Sequence, residues 1–134
     1  MLMMQNKSTN ILCIYDGRIG LSDYGALFCP YPKVKPFPLY YSMKAFGELY
    51  RLGGHVKPDM EESEEIYAQA ATDGNKQAFL ISNISEEIRS IETDLGSNMK
   101  AYLINAEKKL EPVEINPESF TMQPDDVILF KNYQ

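Results

Sequence analysis

The sequence predicts a mainly β protein. The expected architecture is an antiparallel β-sandwich of about seven to eight strands, with one amphipathic helix over 39–53 packed on it and an irregular N-terminal segment. Three observations carry this expectation. From Ile66 onward, short apolar–polar alternations are separated by the turn signals Asp73-Gly74-Asn75, Gly96-Ser97-Asn98 and Asn116-Pro117. Only the stretch LYYSMKAFGELYRLGG, Leu39 to Gly54, repeats apolar residues at spacings of three and four. The charge also divides near that helix. Residues 1–58 carry seven Lys/Arg against three Asp/Glu, a balance of +4, whereas residues 59–134 carry six against sixteen, a balance of -10.

Composition bounds the function. The 134 residues, 44% of them hydrophobic, suit one ordinary domain with a sizeable core. A net charge of -6 with an acidic body argues against nucleic acid and anionic membranes as partners, because both need clustered basic charge. No apolar run approaches the ~18 residues of a membrane span. The start MLMMQNKSTN lacks the charged and then long apolar pattern of a signal peptide. The chain is therefore read as soluble, with its compartment open. Cys13 and Cys29 have no metal-ligand spacing, and the sequence leaves both two free thiols and a disulfide open.

Taken in order, Asn10 to Tyr15 (NILCIY) is a continuous apolar run that reads as a strand buried on both faces. Asp16-Gly17-Arg18 breaks it, and Ile19 to Pro38 is an aromatic loop. In the helix the stripe Leu39, Met43, Phe46, Leu49, Tyr50 and Gly53 is expected to face the core, with Pro36 and Pro38 ahead of it and Gly53-Gly54 ending it. Gly47 interrupts the helix at a cost of about 1 kcal/mol, which suggests a close backbone approach there. His55 to Glu65 reads as an acidic linker. The strands expected next are Ile66–Thr72, Lys76–Ile84, Ser90–Leu95, Met99–Asn105, Leu110–Ile115, Glu118–Met122 and Asp125–Lys131. Ile66, Phe79, Ile81, Tyr102, Ile104, Ile128 and Phe130 are the expected core. An apolar strand at 10–15 without sheet neighbours would invite pairing with a second copy.

Residues that carry chemistry are few. The acidic run at 61–65 is most simply a solvated face, since no pocket separates carboxylate pKa values there. His55 stands alone, and a metal or nucleophile needs partners. Asn6-Lys7-Ser8 and Asn83-Ile84-Ser85 match the glycosylation tripeptide, which matters only in a secreted eukaryotic protein. Tyr15, Asp16 and Arg18 form either a turn with a local ion pair or part of a site. Tyr24, Phe28, Tyr31 and Phe37 offer ring faces that stack on sugars or cover the helix.

The pieces ILCIYDGR (Ile11 to Arg18), YGALF (Tyr24 to Phe28), YYSMKAFGELYRLG (Tyr40 to Gly53) and IYAQAATDGNKQAFLISN (Ile66 to Asn83), in that order, resemble the C-terminal part of certain retaining (β/α)8-barrel glycoside hydrolases. The resemblance implies that residues 1–54 correspond to the last barrel strand and helix, 55–65 to a linker and 66–134 to a C-terminal β-sandwich. The active site of such a barrel lies at the C-terminal ends of its strands. The resemblance therefore puts Tyr15, Asp16, Arg18, Tyr24 and Phe28 at the substrate-binding rim. The two glutamates of the retaining mechanism belong to earlier strands and have no equivalent here. The isolated chain is thus expected to be non-catalytic, to need no cofactor or metal, and to support an upstream barrel and its sugar cleft. A stand-alone carbohydrate-binding or protein-interaction module is the alternative.

Overall fold

The computed structural model describes residues 35–61 and 63–134. They form one helix and eight strands: α1 (Pro38–Leu52), β1 (Gly54–Val56), β2 (Ile66–Thr72), β3 (Gln77–Asn83), β4 (Arg89–Glu92), β5 (Lys100–Ile104), β6 (Lys109–Val113), β7 (Ser119–Met122) and β8 (Val127–Lys131). The strands make two antiparallel sheets. One has six strands in the order β1-β2-β3-β8-β5-β6, and the other pairs β4 with β7. The described residues are mainly β with one helix, as the turn spacing predicts. The expected strand at 10–15 lies outside the described residues, as do Cys13 and Cys29.

Strand alternation distributes side chains to both faces of the six-stranded sheet. Ala71, Ala78, Leu80, Ile104 and Leu129 point to one face and pack with Ala45 and Leu49 of α1. Ala68, Ile81, Ala101, Ile128 and Phe130 point to the other and pack with Phe120 and Met122 of β7. The Phe130 ring lies 5.1 Å from that of Phe120 and 6.3 Å from that of Phe79, in tilted arrangements that aromatic quadrupoles favour over flat stacking. The described residues thus form three layers: helix, wide sheet, narrow sheet. The expected core residues divide between the two faces. Ile81, Ile104, Ile128 and Phe130 are buried, while Ile66, Phe79 and Tyr102 are half-buried.

The helix face on the sheet overlaps the expected stripe at Phe46 and Leu49 and departs from it at Leu39 and Tyr50. Ala45 and Leu49 are fully buried, and Tyr41, Phe46 and Leu52 pack partly against the same cluster. Of the expected stripe, Leu39 is 41% and Tyr50 73% exposed. The physical reason is distance. A small residue at 45 lets the helix lie close on the sheet, whereas the larger Leu39, Met43 and Tyr50 sit on another side. Among the described residues, no atom outside the helix's own nearby backbone lies within 4 Å of a Cβ built on Gly47, so none of them makes the close approach expected there. Pro38 sits in the first turn, and Gly53, at φ 79, ends the helix with its N–H donating to Tyr50 O at 3.2 Å.

The stretch expected as a linker begins with a strand. β1 pairs with β2 in the register Gly54↔Thr72, His55↔Ala71 and Val56↔Ala70. A Cβ on Gly54 would stand 2.4 Å from Thr72 O, so only glycine admits that approach. At the opposite edge Pro112 lies in β6, which among the described strands pairs only with β5. Proline cannot donate to a ladder and belongs at such an edge.

If Leu49 and not Tyr50 holds α1 to the sheet, Leu49→Ala should lower the unfolding free energy by about 3 kcal/mol through the cavity it leaves. Tyr50→Ser should change it by less than about 0.5 kcal/mol. Urea unfolding of the two variants measures both.

Candidate functional site

All five residues with an expected substrate role, Tyr15, Asp16, Arg18, Tyr24 and Phe28, lie outside the described residues. The structure therefore brings none of them into a described site. Among the described residues three features concentrate polar or concave chemistry.

The first is a charged seam between α1 and β8. Lys131 Nζ lies 3.4 Å from Glu48 Oε2, with the two side chains 13% and 18% exposed. The same ammonium stands 5.2 Å from the Tyr102 ring and 4.9 Å from the Tyr133 ring, within cation–π range. Arg51 donates to the other Glu48 oxygen at 3.0 Å. Burial, then the Glu48 charge and its hydrogen bond, push the Tyr133 hydroxyl up to about 12. Every group here has a partner, and the cluster holds the helix to the last strand. It shows no nucleophile, and its lysine is enclosed rather than offered to a ligand.

The second is a buried amide network. Asn83 is fully buried. Its Nδ2 donates to the carbonyls of Glu87, Met122 and Gln123, at 2.9, 3.3 and 3.1 Å. Its Oδ1 accepts from the N–H and hydroxyl of Ser85, at 3.0 and 2.7 Å. One side chain thereby ties the ends of β3 and β7 to the loop between β3 and β4. The Asn83-Ile84-Ser85 tripeptide is thus a structural turn, and its amide nitrogen is not accessible to a glycosyl donor.

The third is a cleft of about 990 Å³ beside the narrow sheet. Its floor is the β2 and β3 face carrying Ile66, Ala68, Phe79 and Ile81. One wall is β4 and its continuation to Leu95, and the other is formed by residues 56–61 with Ser63. β4 borders the cleft and β7 does not line it. The narrow sheet therefore covers only part of the wide one. Sequence reasoning missed this cleft because it depends on how the strands are shared between the two layers, which is a long-range property.

His55 is exposed on β1, away from any cluster. No group of three His, Cys, Asp or Glu among the described residues is placed to hold a metal ion. No helix among the described residues is long and apolar enough to cross a membrane. Asp73, expected in a tight turn, accepts from the N–H groups of Lys76 and Asn75 at 2.7 and 3.0 Å. These bonds hold its carboxyl below the usual range, and its role is to close the β2–β3 hairpin.

Comparison with known proteins bears on the fold. No family model matches the chain, and no curated protein matches it. Among solved structures it is similar to the glycoside hydrolase family 30 subfamily 8 xylanase Xyn30A from Clostridium acetobutylicum, with a TM-score of 0.61 and 16% identity. That match covers 81% of this chain and 31% of the xylanase. It is also similar to a GH30 endoxylanase from Clostridium papyrosolvens C71, with a TM-score of 0.55 and 18% identity over 72% of this chain and 28% of that one. A conserved exported protein from Bacteroides fragilis gives a TM-score of 0.48 at 22% identity, over 56% of this chain and 17% of that one. The chain thus spans less than a third of the length of these proteins, and it shares a fold with part of two xylanases.

Two outcomes follow from the geometry. Asn83→Ala leaves three carbonyls without their donor and should cost about 3 kcal/mol, read by thermal or urea unfolding. The Tyr133 hydroxyl has a folded pKa raised from 10.0 to about 12. The stability this contributes is present below the unfolded value and is lost as pH rises through the folded one. An alkaline titration of tyrosinate absorbance should show a tyrosine ionising near 12, absent in Tyr133→Phe. The wild type should lose more stability than that variant over the same pH rise.

Proposed function

We propose that this chain is the C-terminal accessory β-sandwich of a glycoside hydrolase-like polypeptide, a non-catalytic support for a barrel and its sugar cleft. The observation that carries this reading is the two-sided helix. Ala45 and Leu49 bind α1 to the sandwich, while Leu39 and Tyr50 are left exposed on another side of the same helix. A helix that lies between two bodies needs an apolar stripe for each. The fold shared with part of two xylanases supports this reading, as does the order of motifs that resembles a barrel's last strand and helix. On this reading the second stripe meets the barrel. Tyr15, Asp16 and Arg18 then stand at the rim of its cleft and orient sugar, with Tyr24 and Phe28 beside them. Bond cleavage rests with two carboxylates of earlier barrel strands. Two of the similar solved structures are named as xylanases, which supports a plant-type β-linked polysaccharide such as xylan as the substrate to try first for the whole enzyme.

The test is complementation. The polypeptide encoded upstream of this domain, expressed separately, should co-purify with the chain, and Leu39→Asp with Tyr50→Asp should abolish that association while leaving the chain folded. Xylanase turnover by the isolated chain that survives repurification would overturn the non-catalytic reading. Absence of any upstream barrel polypeptide, shown by a native band at 15.3 kDa on an immunoblot of source cells, would overturn the support role.

A further inference from the structure

The cleft beside β4 has the shape of a missing strand. The wide sheet has six strands and the narrow one two. Among the described residues β4 pairs only with β7, and β4 lines the cleft while β7 does not, so no described strand pairs with the edge of β4 on the cleft side. Neighbouring strands stand about 4.8 Å apart and packed sheets about 10 Å apart. A strand laid along the free edge of β4 would therefore hang over β3 and β2 at the usual sandwich spacing. Beneath it would lie Ile66, Ala68, Ala70, Phe79 and Ile81, an apolar floor with two small steps at the alanines that admit side chains from above.

The rim states the charge of what fits. Asp59 and Glu61 stand on one wall and Glu92 and Asp94 on the other, all exposed. Lys57 is the one cation among the described lining residues. A second copy of this chain would bring an equally acidic rim against this one, and like charges across an interface oppose docking. A strand whose outward side chains are lysine or arginine would place them between the two acidic walls.

We infer that this cleft is a strand-accepting surface for an extended peptide segment of a partner protein, about five residues long, that alternates apolar with Lys or Arg side chains. Backbone pairing with β4 supplies the affinity, the floor reads alternate apolar side chains, and the rim selects basic ones. This surface lies on the face of the wide sheet opposite α1, so it is independent of any barrel on the helix side.

The experiment uses the full chain and a synthetic peptide alternating valine and lysine, titrated by amide chemical-shift mapping. The expected result is saturable shifts confined to residues 90–95 and the β2–β3 floor, an affinity that falls as salt rises, and at least tenfold weakening in Glu92→Lys with Asp94→Lys. The same double variant should gain binding to a peptide alternating valine and glutamate. If that variant does not fold, Asp59→Lys with Glu61→Lys on the opposite wall makes the same reversal. No shift at millimolar peptide overturns the proposal, as does equal binding of the glutamate peptide by the wild type. Shifts centred on the helix stripe overturn it as well. So does a dimer of the peptide-free chain that perturbs residues 90–95, which would name the second copy as occupant.

Discussion

The structure depends on β8. This strand follows all the others in the sequence, yet it lies at the centre of the wide sheet, hydrogen-bonded to β3 on one side and β5 on the other. Ile128, Leu129 and Phe130 are three consecutive residues with at most 1% exposure, because both faces of the strand are covered. A run of apolar residues without alternation is what a strand between two layers requires. Leu129 faces the helix and Ile128 and Phe130 face the narrow sheet. Each core is therefore completed by the same five-residue strand. Lys131 at its end adds the contact to Glu48, and Asn132 bonds back to Gln77 and Asn75.

That centrality explains why polar groups cluster where they do. At one end of β8, Asp126 accepts from Gln123 N–H and Asn105 Nδ2, at 2.8 and 2.9 Å, and Asn83 gathers three carbonyls nearby. At the other end, Lys131 is shared between a carboxylate and two rings. Both arrangements satisfy groups that the crossing of elements would leave buried and unpaired, which is the expensive alternative. They are stabilising devices, and their density accounts for the lack of any free catalytic side chain in the described interior.

Much of this was legible in the sequence, and the failures have physical reasons. Ile66–Thr72 was readable to the residue because Asp73-Gly74-Asn75 gives both the end of the strand and its turn. The run 127–130 was readable as a strand, but its position at the sheet centre was not, since pairing order is a long-range property. β1 escaped because three exposed residues, Gly54, His55 and Val56, have no burial to pattern them. The buried face of α1 was legible at Leu49 and Phe46 but not at Ala45, because Leu39 and Tyr50 are bulkier than Ala45 and periodicity weighs volume where packing rewards closeness. The tripeptide at 83–85 looked like an acceptor for modification only because a sequence does not show that its amide is enclosed. The rim residues Tyr15, Asp16 and Arg18 lie outside the described structure, and they rest on the motif order alone.

The place of β8 in the sheet has a consequence for biosynthesis. A ribosome makes every other described strand before this one. Until it emerges, β3 and β5 each lack a central neighbour, and neither core can close. The domain therefore cannot fold progressively from its N-terminal side as it is made. It must wait for its last strand, with two apolar strand edges exposed in the meantime, while any body preceding it in a nascent polypeptide has already had time to fold. Chaperone dependence of this segment would come from that delay and not from low final stability.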